Sequence, residues 1–240
     1  RNCVAEAVTL TDQSTGFDLA SWKWDFGSAP VPNQVVLDQR PEVVFNALGQ
    51  FPVKLVVGNQ YGCSDSITRL VEIHKLPHAA FTYQNPCRAT GIAFTDQSAA
   101  ADGSFADYAW HVTYGNGIPT SYTGNPAVIV FDNEGLYTVK HVVTDEFGCS
   151  DSISEVIRVK PRPDAAFEYS TYTGPEDATL QLHNLTSGAD IYRWNFGNGV
   201  TSGMAEPAVT YSSEGLYTIS LLVKNADDCY DTAVSQYYYM

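Results

Sequence analysis

Repetition constrains this chain more than any other feature. Trp24, Trp110 and Trp194 recur at spacings of 86 and 84 residues. Gly49, Gly135 and Gly215 recur at 86 and 80, and so do Cys63, Cys149 and Cys229. The text around these anchors also returns: "LTDQS" (10–14) beside "FTDQS" (94–98), "YGCSDSI" (61–67) beside "FGCSDSI" (147–153), and "NEGLYTV" (133–139) beside "SEGLYTI" (213–219). Self-similarity of this kind means that one structural unit is used three times. Proline marks the boundaries, in "HKLPHAAF" (74–81) and "VKPRPDAAF" (159–167). Proline has no ladder donor and stiffens the chain, so it belongs between central strands. Three units are expected, over residues 1–76, 77–162 and 163–240, with short semi-rigid joints and no Gly/Ser tract.

Inside each unit the hydrophobic period is two. Phe51, Val53, Leu55 and Val57 share one parity, as do Tyr137, Val139, His141 and Val143, and Tyr217, Ile219, Leu221 and Val223. Such alternation makes a half-buried strand. Gly, Asn, Asp and Pro clusters interrupt the runs every 8–12 residues, which predicts an all-β sandwich. Trp24, Trp110 and Trp194 fall in the core phase, which argues against a sugar-stacking platform. Trp22, Tyr108 and Tyr192 occupy a less certain matching position.

Composition excludes several functions. Asp and Glu number 27 against 13 Lys and Arg, a net charge of −14. That field repels phosphate, so nucleic acid and anionic membranes are not expected partners. No apolar run approaches the roughly 20 residues of a membrane-spanning helix. The first residues already read as part of a folded unit, so the chain is expected to be a mature piece of something longer.

The motifs that carry chemistry are missing. There is no Gly-x-Ser-x-Gly elbow, no His-Glu-x-x-His and no phosphate-binding loop. The "GNG" segments at 115–117 and 197–199 read as turns, because no helix follows them. His74 and His78 are four apart, but Pro77 lies between them, so no metal pair is expected there. His141 sits on the core face and reads as a hydrogen-bonded core histidine. No catalytic residue, metal ligand or cofactor is expected.

One pattern is more specific. Unit 3 carries Trp194, Asn195, Phe196, Gly197, Asn198, Gly199, Pro207, Tyr211, Gly215 and Tyr217 in order. This resembles the PKD (polycystic kidney disease) repeat. Unit 2 keeps Pro126, Phe131, Gly135 and Tyr137, but its segment after Trp110 is two residues longer; in unit 1, Phe51 replaces the tyrosine. The resemblance covers essentially the whole chain. It implies three tandem immunoglobulin-like sandwiches serving as spacers or binding modules. The phrase "GCSDSI" with the "P…AAF" joints resembles PKD arrays of large Bacteroidota surface adhesins exported by type IX secretion. The triplets at Asp65, Asp151 and Asp231 resemble the O-glycosylation acceptor of that lineage, which would place sugar on Ser66, Ser152 and Thr232; plain repeat homology in a turn is the alternative. Asn184-Leu185-Thr186 reads as an N-glycosylation acceptor, which a bacterial source disfavours.

By analogy with small secreted scaffolds, one disulfide per unit is expected, Cys3–Cys63 and Cys87–Cys149. Each would close a loop of 60 and 62 residues, worth on the order of 4 kcal/mol in the chain-entropy model. Four reduced, buried cysteines are the alternative. In unit 3 the position matching Cys3 and Cys87 is Pro175, so Cys229 is expected as an unpaired thiol, or else as a bond to a neighbouring chain. If the termini lie at opposite ends of each sandwich, Asp145 and Glu146 approach His74 and Lys75, and Asp227 and Asp228 approach Lys160 and Arg162. These are expected as joint ion pairs worth about 0–1 kcal/mol each, with calcium at the joints as the alternative.

The expected function is a structural or adhesive spacer in a secreted cell-surface protein, with a reach of roughly 100 Å for three units. A filament subunit is an alternative, using edge strands, Cys229 and the outer tyrosine of the tail, Tyr238. A carbohydrate-binding accessory module of a secreted hydrolase is another. Expected partners are neighbouring repeats, identical chains or surface polysaccharide.

Overall fold

The alternating runs become antiparallel strands throughout, and no helix forms among the described residues. In the computed structural model, which describes residues 2–173 and 178–240, each third of the chain builds two sheets. Unit 1 contains β1 (Ala7–Thr9), β2 (Leu19–Asp25), β3 (Val35–Val36), β4 (Glu42–Val44), β5 (Gly49–Asn59) and β6 (Ser64–Ile73). They pair as β1-β4 and β3-β2-β5-β6. Unit 2 contains β7 (Phe81–Tyr83), β8 (Gly91–Asp96), β9 (Phe105–Tyr114), β10 (Thr120–Thr123), β11 (Ala127–Val130), β12 (Gly135–Asp145) and β13 (Ser150–Val159). Their orders are β11-β8-β7 and β10-β9-β12-β13. Unit 3 contains β14 (Phe167–Thr173), β15 (Ala178–Asn184), β16 (Ile191–Asn195), β17 (Thr201–Ser202), β18 (Ala208–Tyr211), β19 (Gly215–Lys224) and β20 (Tyr230–Tyr239). Here the orders are β14-β15-β18 and β17-β16-β19-β20.

Each pair of sheets closes over its own core, because the inward residues of both sheets must leave water together. Trp24, Trp110 and Trp194 lie at the three centres, 7%, 0% and 1% exposed. Each buried indole N–H still needs an acceptor. Trp24 donates to the Asp38 carbonyl at 2.9 Å, Trp110 to Gly124 at 3.0 Å and Trp194 to Met204 at 2.9 Å. Buried this way, the rings of Trp110 and Trp194 offer no face to a sugar. Trp22 is half-buried and donates to the Asp12 carboxylate at 2.7 Å. The corner tyrosines of units 2 and 3 donate to backbone carbonyls four residues upstream, Tyr137 to Asn133 at 3.0 Å and Tyr217 to Ser213 at 2.8 Å. Phe51 of unit 1 stacks on Phe45 instead, with centroids 5.6 Å apart.

His141 is fully buried in the core of unit 2, stacked on Trp110 with centroids 3.7 Å apart. Its Nε2 lies 2.9 Å from Asp96 Oδ1, and its Nδ1 lies 3.3 Å from the Ala109 carbonyl. Burial works to raise the Asp96 carboxyl, but hydrogen bonds from Ser98 and the His141 ring outweigh it and hold the group below the usual carboxylate range. A carboxylate depressed in the folded state adds stability above its unfolded pKa, and that stability is lost as pH falls through the folded value. Unit 2 should therefore lose melting temperature on acidification below about pH 4. Asp96→Asn should flatten that dependence in thermal melts across pH. An unchanged acid slope in the variant would exclude Asp96 as its source.

Candidate functional site at the joints between units

The long strands β6 and β13 decide where the cysteines meet. Cys3 forms a parallel bridge with His74, just past the end of β6, while Cys63 precedes the start of that strand. Ten strand residues separate the two positions by roughly 33 Å. Cys87 and Cys149 stand in the same relation across β13, with Cys87 bridged to Lys160. A disulfide needs its Cα atoms within about 7 Å, so neither unit can close on itself.

The cysteines bond across the joints instead. Cys3 of unit 1 is joined to Cys149 of unit 2, and Cys87 of unit 2 to Cys229 of unit 3, each with Cα atoms 5.7 Å apart. The expected Cys3–Cys63 and Cys87–Cys149 bonds are thus corrected, as is the unpaired Cys229. The free cysteine is Cys63, and it is exposed. Pro175, the unit 3 counterpart of Cys3 and Cys87, lies outside the described residues.

A turn before the last strand of each unit presents its cysteine, and one side chain builds that turn. Asn59 Oδ1 accepts from the backbone N–H groups of Tyr61 and Cys63, both at 3.0 Å. Asp145 Oδ1 accepts from Phe147 at 3.0 Å and Cys149 at 2.8 Å. Asn225 Oδ1 accepts from Asp227 at 3.1 Å and Cys229 at 3.0 Å. These side-chain-to-backbone bonds are the reason for an Asn or Asp at this place.

The turn does approach the preceding linker, but through different atoms from those expected. Asp145 is 1% exposed and spends Oδ1 on its own turn, while Oδ2 has no hydrogen-bond partner. Glu146 accepts from Ser104 N–H at 3.1 Å within unit 2. Among the described residues, neither pairs with Lys75, whose backbone N–H donates to Asp102 at 3.1 Å. His74 stacks on Phe147 across the joint, centroids 3.8 Å apart and planes within 8°.

At the second joint Lys160 Nζ and Asn85 Nδ2 both donate to the Asp227 carbonyl, at 3.2 and 3.1 Å. The carboxylate of Asp228 pairs with Lys224 at 2.6 Å, within unit 3. Arg162 pairs with Asp231 and donates its Nε to the Tyr230 carbonyl at 3.1 Å. The expected pairing of Lys160 and Arg162 with the Asp227 and Asp228 carboxylates is replaced by these bonds. Asp227 offers its backbone to the joint, and Asp228 has a nearer cation four residues away. Among the described residues, no group of three or more His, Cys, Asp or Glu side chains gathers as a metal site.

One linker contact is made in the same way at both joints. Asp151 Oδ2 accepts from the Ala79 N–H, and Asp231 Oδ2 from the Ala165 N–H, both at 2.9 Å. The acids of the second and third Asp-Ser/Thr triplets thus fasten the linkers that lead into their own units. Ser66, Ser152 and Thr232 follow Asp65, Asp151 and Asp231 on the edge strands β6, β13 and β20, and all three are exposed.

The sequence profile of the PKD domain matches residues 158–238. The PKD1 domain of the Vibrio cholerae metalloprotease PrtV is 31% identical, over 32% of this chain and 95% of that one, with a TM-score of 0.28. The PKD1 domain of Vibrio anguillarum Epp is 27% identical, over 32% of this chain and 92% of that one, also with a TM-score of 0.28.

Proposed function

Because this chain carries a PKD domain, we propose that it is a non-catalytic structural spacer of an extracellular protein, a row of sandwiches whose disulfides hold neighbouring units in fixed orientation. The observation that carries this reading is the placement of both staples between units, Cys3–Cys149 and Cys87–Cys229. A bond inside a unit would stabilise that unit alone. A bond between units removes freedom from the joint, which matters when the product is reach. Disulfides also belong to oxidising compartments outside the cytoplasm. No helix among the described residues is long and apolar enough to cross a membrane.

The finer reading is a segment of a Bacteroidota surface adhesin exported by type IX secretion, with sugar on Ser66, Ser152 and Thr232. Its support is the text of the repeats and the exposure of those three hydroxyls. An intact mass of native-source protein equal to that of the bare chain would remove the sugars.

The spacer reading is tested by distances between dyes on units 1 and 3. The oxidised chain should give one narrow distribution. A Cys149→Ser, Cys229→Ser double variant should give a broader one at the same unit stability. Equal widths would mean that the staples do not set the joints, and the reading would fail.

A further inference from the structure

Unit 1 repeats the receiving half of a joint without anything in it. In unit 2 the linker enters as β7, which pairs with β8 so that Phe81, Thr82 and Tyr83 lie opposite Asp96, Thr95 and Phe94. Phe81 then packs edge-on against Trp110, centroids 5.4 Å apart. In unit 3, Phe167 of β14 does the same against Trp194 at 5.1 Å. Two further contacts fix the entering strand. Ser98 Oγ exchanges hydrogen bonds with the N–H and carbonyl of Ala80, and Thr186 Oγ1 does so with Ala166. Asp151 and Asp231 bind the alanine one residue earlier.

Unit 1 carries every receiving element. Leu10, Thr11 and Asp12 match Phe94, Thr95 and Asp96 in the repeat, Ser14 matches Ser98, and Asp65 matches Asp151. The sheet of β1 has only β4 beside it, where units 2 and 3 have three strands. A cleft of about 730 Å³ opens along that missing strand, lined by Leu10, Trp24, Leu55, Val57, Ile67 and Val71. Ile67 is 50% exposed there. Cys63 is held in the same kind of side-chain-built turn as Cys149 and Cys229, through Asn59 where they use Asp145 and Asn225, yet it is free.

We propose that this face of unit 1 docks one further repeat of the same kind, which lays its trailing Ala-Ala-Phe-type linker into the cleft as a strand and bonds a cysteine to Cys63. The proposal deepens the spacer reading and rests on it. Continuity with two established joints identifies the occupant: a small-small-aromatic strand, and a half-cystine standing beside the end of its own last strand, as Cys3 and Cys87 do. A second copy of this chain fits less well at its unit 3 end, where Pro175 stands in place of that cysteine. Oxidation is supplied by a small disulfide such as oxidised glutathione. The Cys63 thiolate attacks it, releasing one glutathione thiolate and leaving a mixed disulfide. The partner thiolate then displaces the second glutathione. Two protein thiols are oxidised, and one disulfide is reduced to two thiols.

The test is a protein in which residues 1–84 are duplicated directly ahead of Arg1. Residue 85 aligns with Arg1 in the repeat, so the duplication supplies both a repeat and its linker strand. After refolding with reduced and oxidised glutathione, non-reducing peptide mapping should find Cys63 of the original unit 1 bonded to the added copy of Cys3. Amide exchange at Leu10–Asp12 should slow by about tenfold or more relative to the undoubled chain. The slowing should persist in a Cys63→Ser version of the doubled protein, and it should vanish when the added Phe81 is changed to Ser. A free Cys63 with unchanged exchange, while Cys3–Cys149 and Cys87–Cys229 map correctly, would overturn the docking proposal and leave the spacer reading standing. Loss of those two staples from the undoubled chain would overturn the spacer reading itself. A Cys63–Cys63 dimer of the undoubled chain with protected Leu10–Asp12 would instead assign the face to identical copies.

Discussion

Pulled apart between Cys3 and Met240, the oxidised chain should extend to about a third of the length of the reduced chain. The reduced backbone offers 237 steps. With the staples closed, the shortest covalent route crosses to Cys149, returns 62 residues to Cys87, crosses to Cys229 and runs 11 more to Met240. At about 3.5 Å per residue, the limits are about 830 Å reduced and about 270 Å oxidised. Single-molecule extension from peptide tags at the two ends, with and without reductant, measures both. The experiment also separates the connectivities. Bonds inside units would leave 24 residues between Cys63 and Cys87 and 91 after Cys149, for a limit of about 400 Å. A length near that value would refute the joint staples.

Trp110→Ala should be the most damaging single change to unit 2, at about 3–5 kcal/mol. The indole is fully buried between Phe81, Phe94 and His141. Its loss opens a cavity, strips the Gly124 carbonyl of its donor and leaves His141 unstacked. A small domain holds roughly 5–15 kcal/mol in all, so unit 2 should approach the edge of folding. Amide exchange resolved by unit should show β9 and β12 losing protection while β5 and β19 keep theirs, because each unit packs its own core. Trp22→Ala, at a half-buried site, is the milder comparison. A loss below about 1 kcal/mol for Trp110→Ala would contradict the core role of the ring.

The sandwiches were legible because burial writes a period of two into a strand, and the anchors repeat that period three times. Tyr137, Val139, His141 and Val143 read inward from sequence and lie inward in the fold. The joints were harder to read, because contacts between units leave no period. The sulfur pairing assumed that each unit closes on itself. The length of β6 argues otherwise, since ten extended residues keep Cys63 far from the His74 end where Cys3 sits. Asp145 looked like a joint acid from its position, but its side chain turns inward to build the turn. Asp151 and Asp231 were visible as part of a repeated triplet. Their partner is a backbone N–H on the linker, and backbone donors carry no signature in the letters of a sequence.

The order of the sulfur bonds along the chain is interleaved, with Cys87 inside the span of Cys3–Cys149 and Cys149 inside the span of Cys87–Cys229. A protease that cuts one peptide bond anywhere between Cys3 and Cys229 therefore cannot release a fragment. Every such nick is bypassed by at least one sulfur bond, the linkers included. Two bonds closed within units would have left both linkers as points of severance. For a protein exposed to hydrolases outside the cell, the interleaving means that a single cleavage leaves the molecule in one piece.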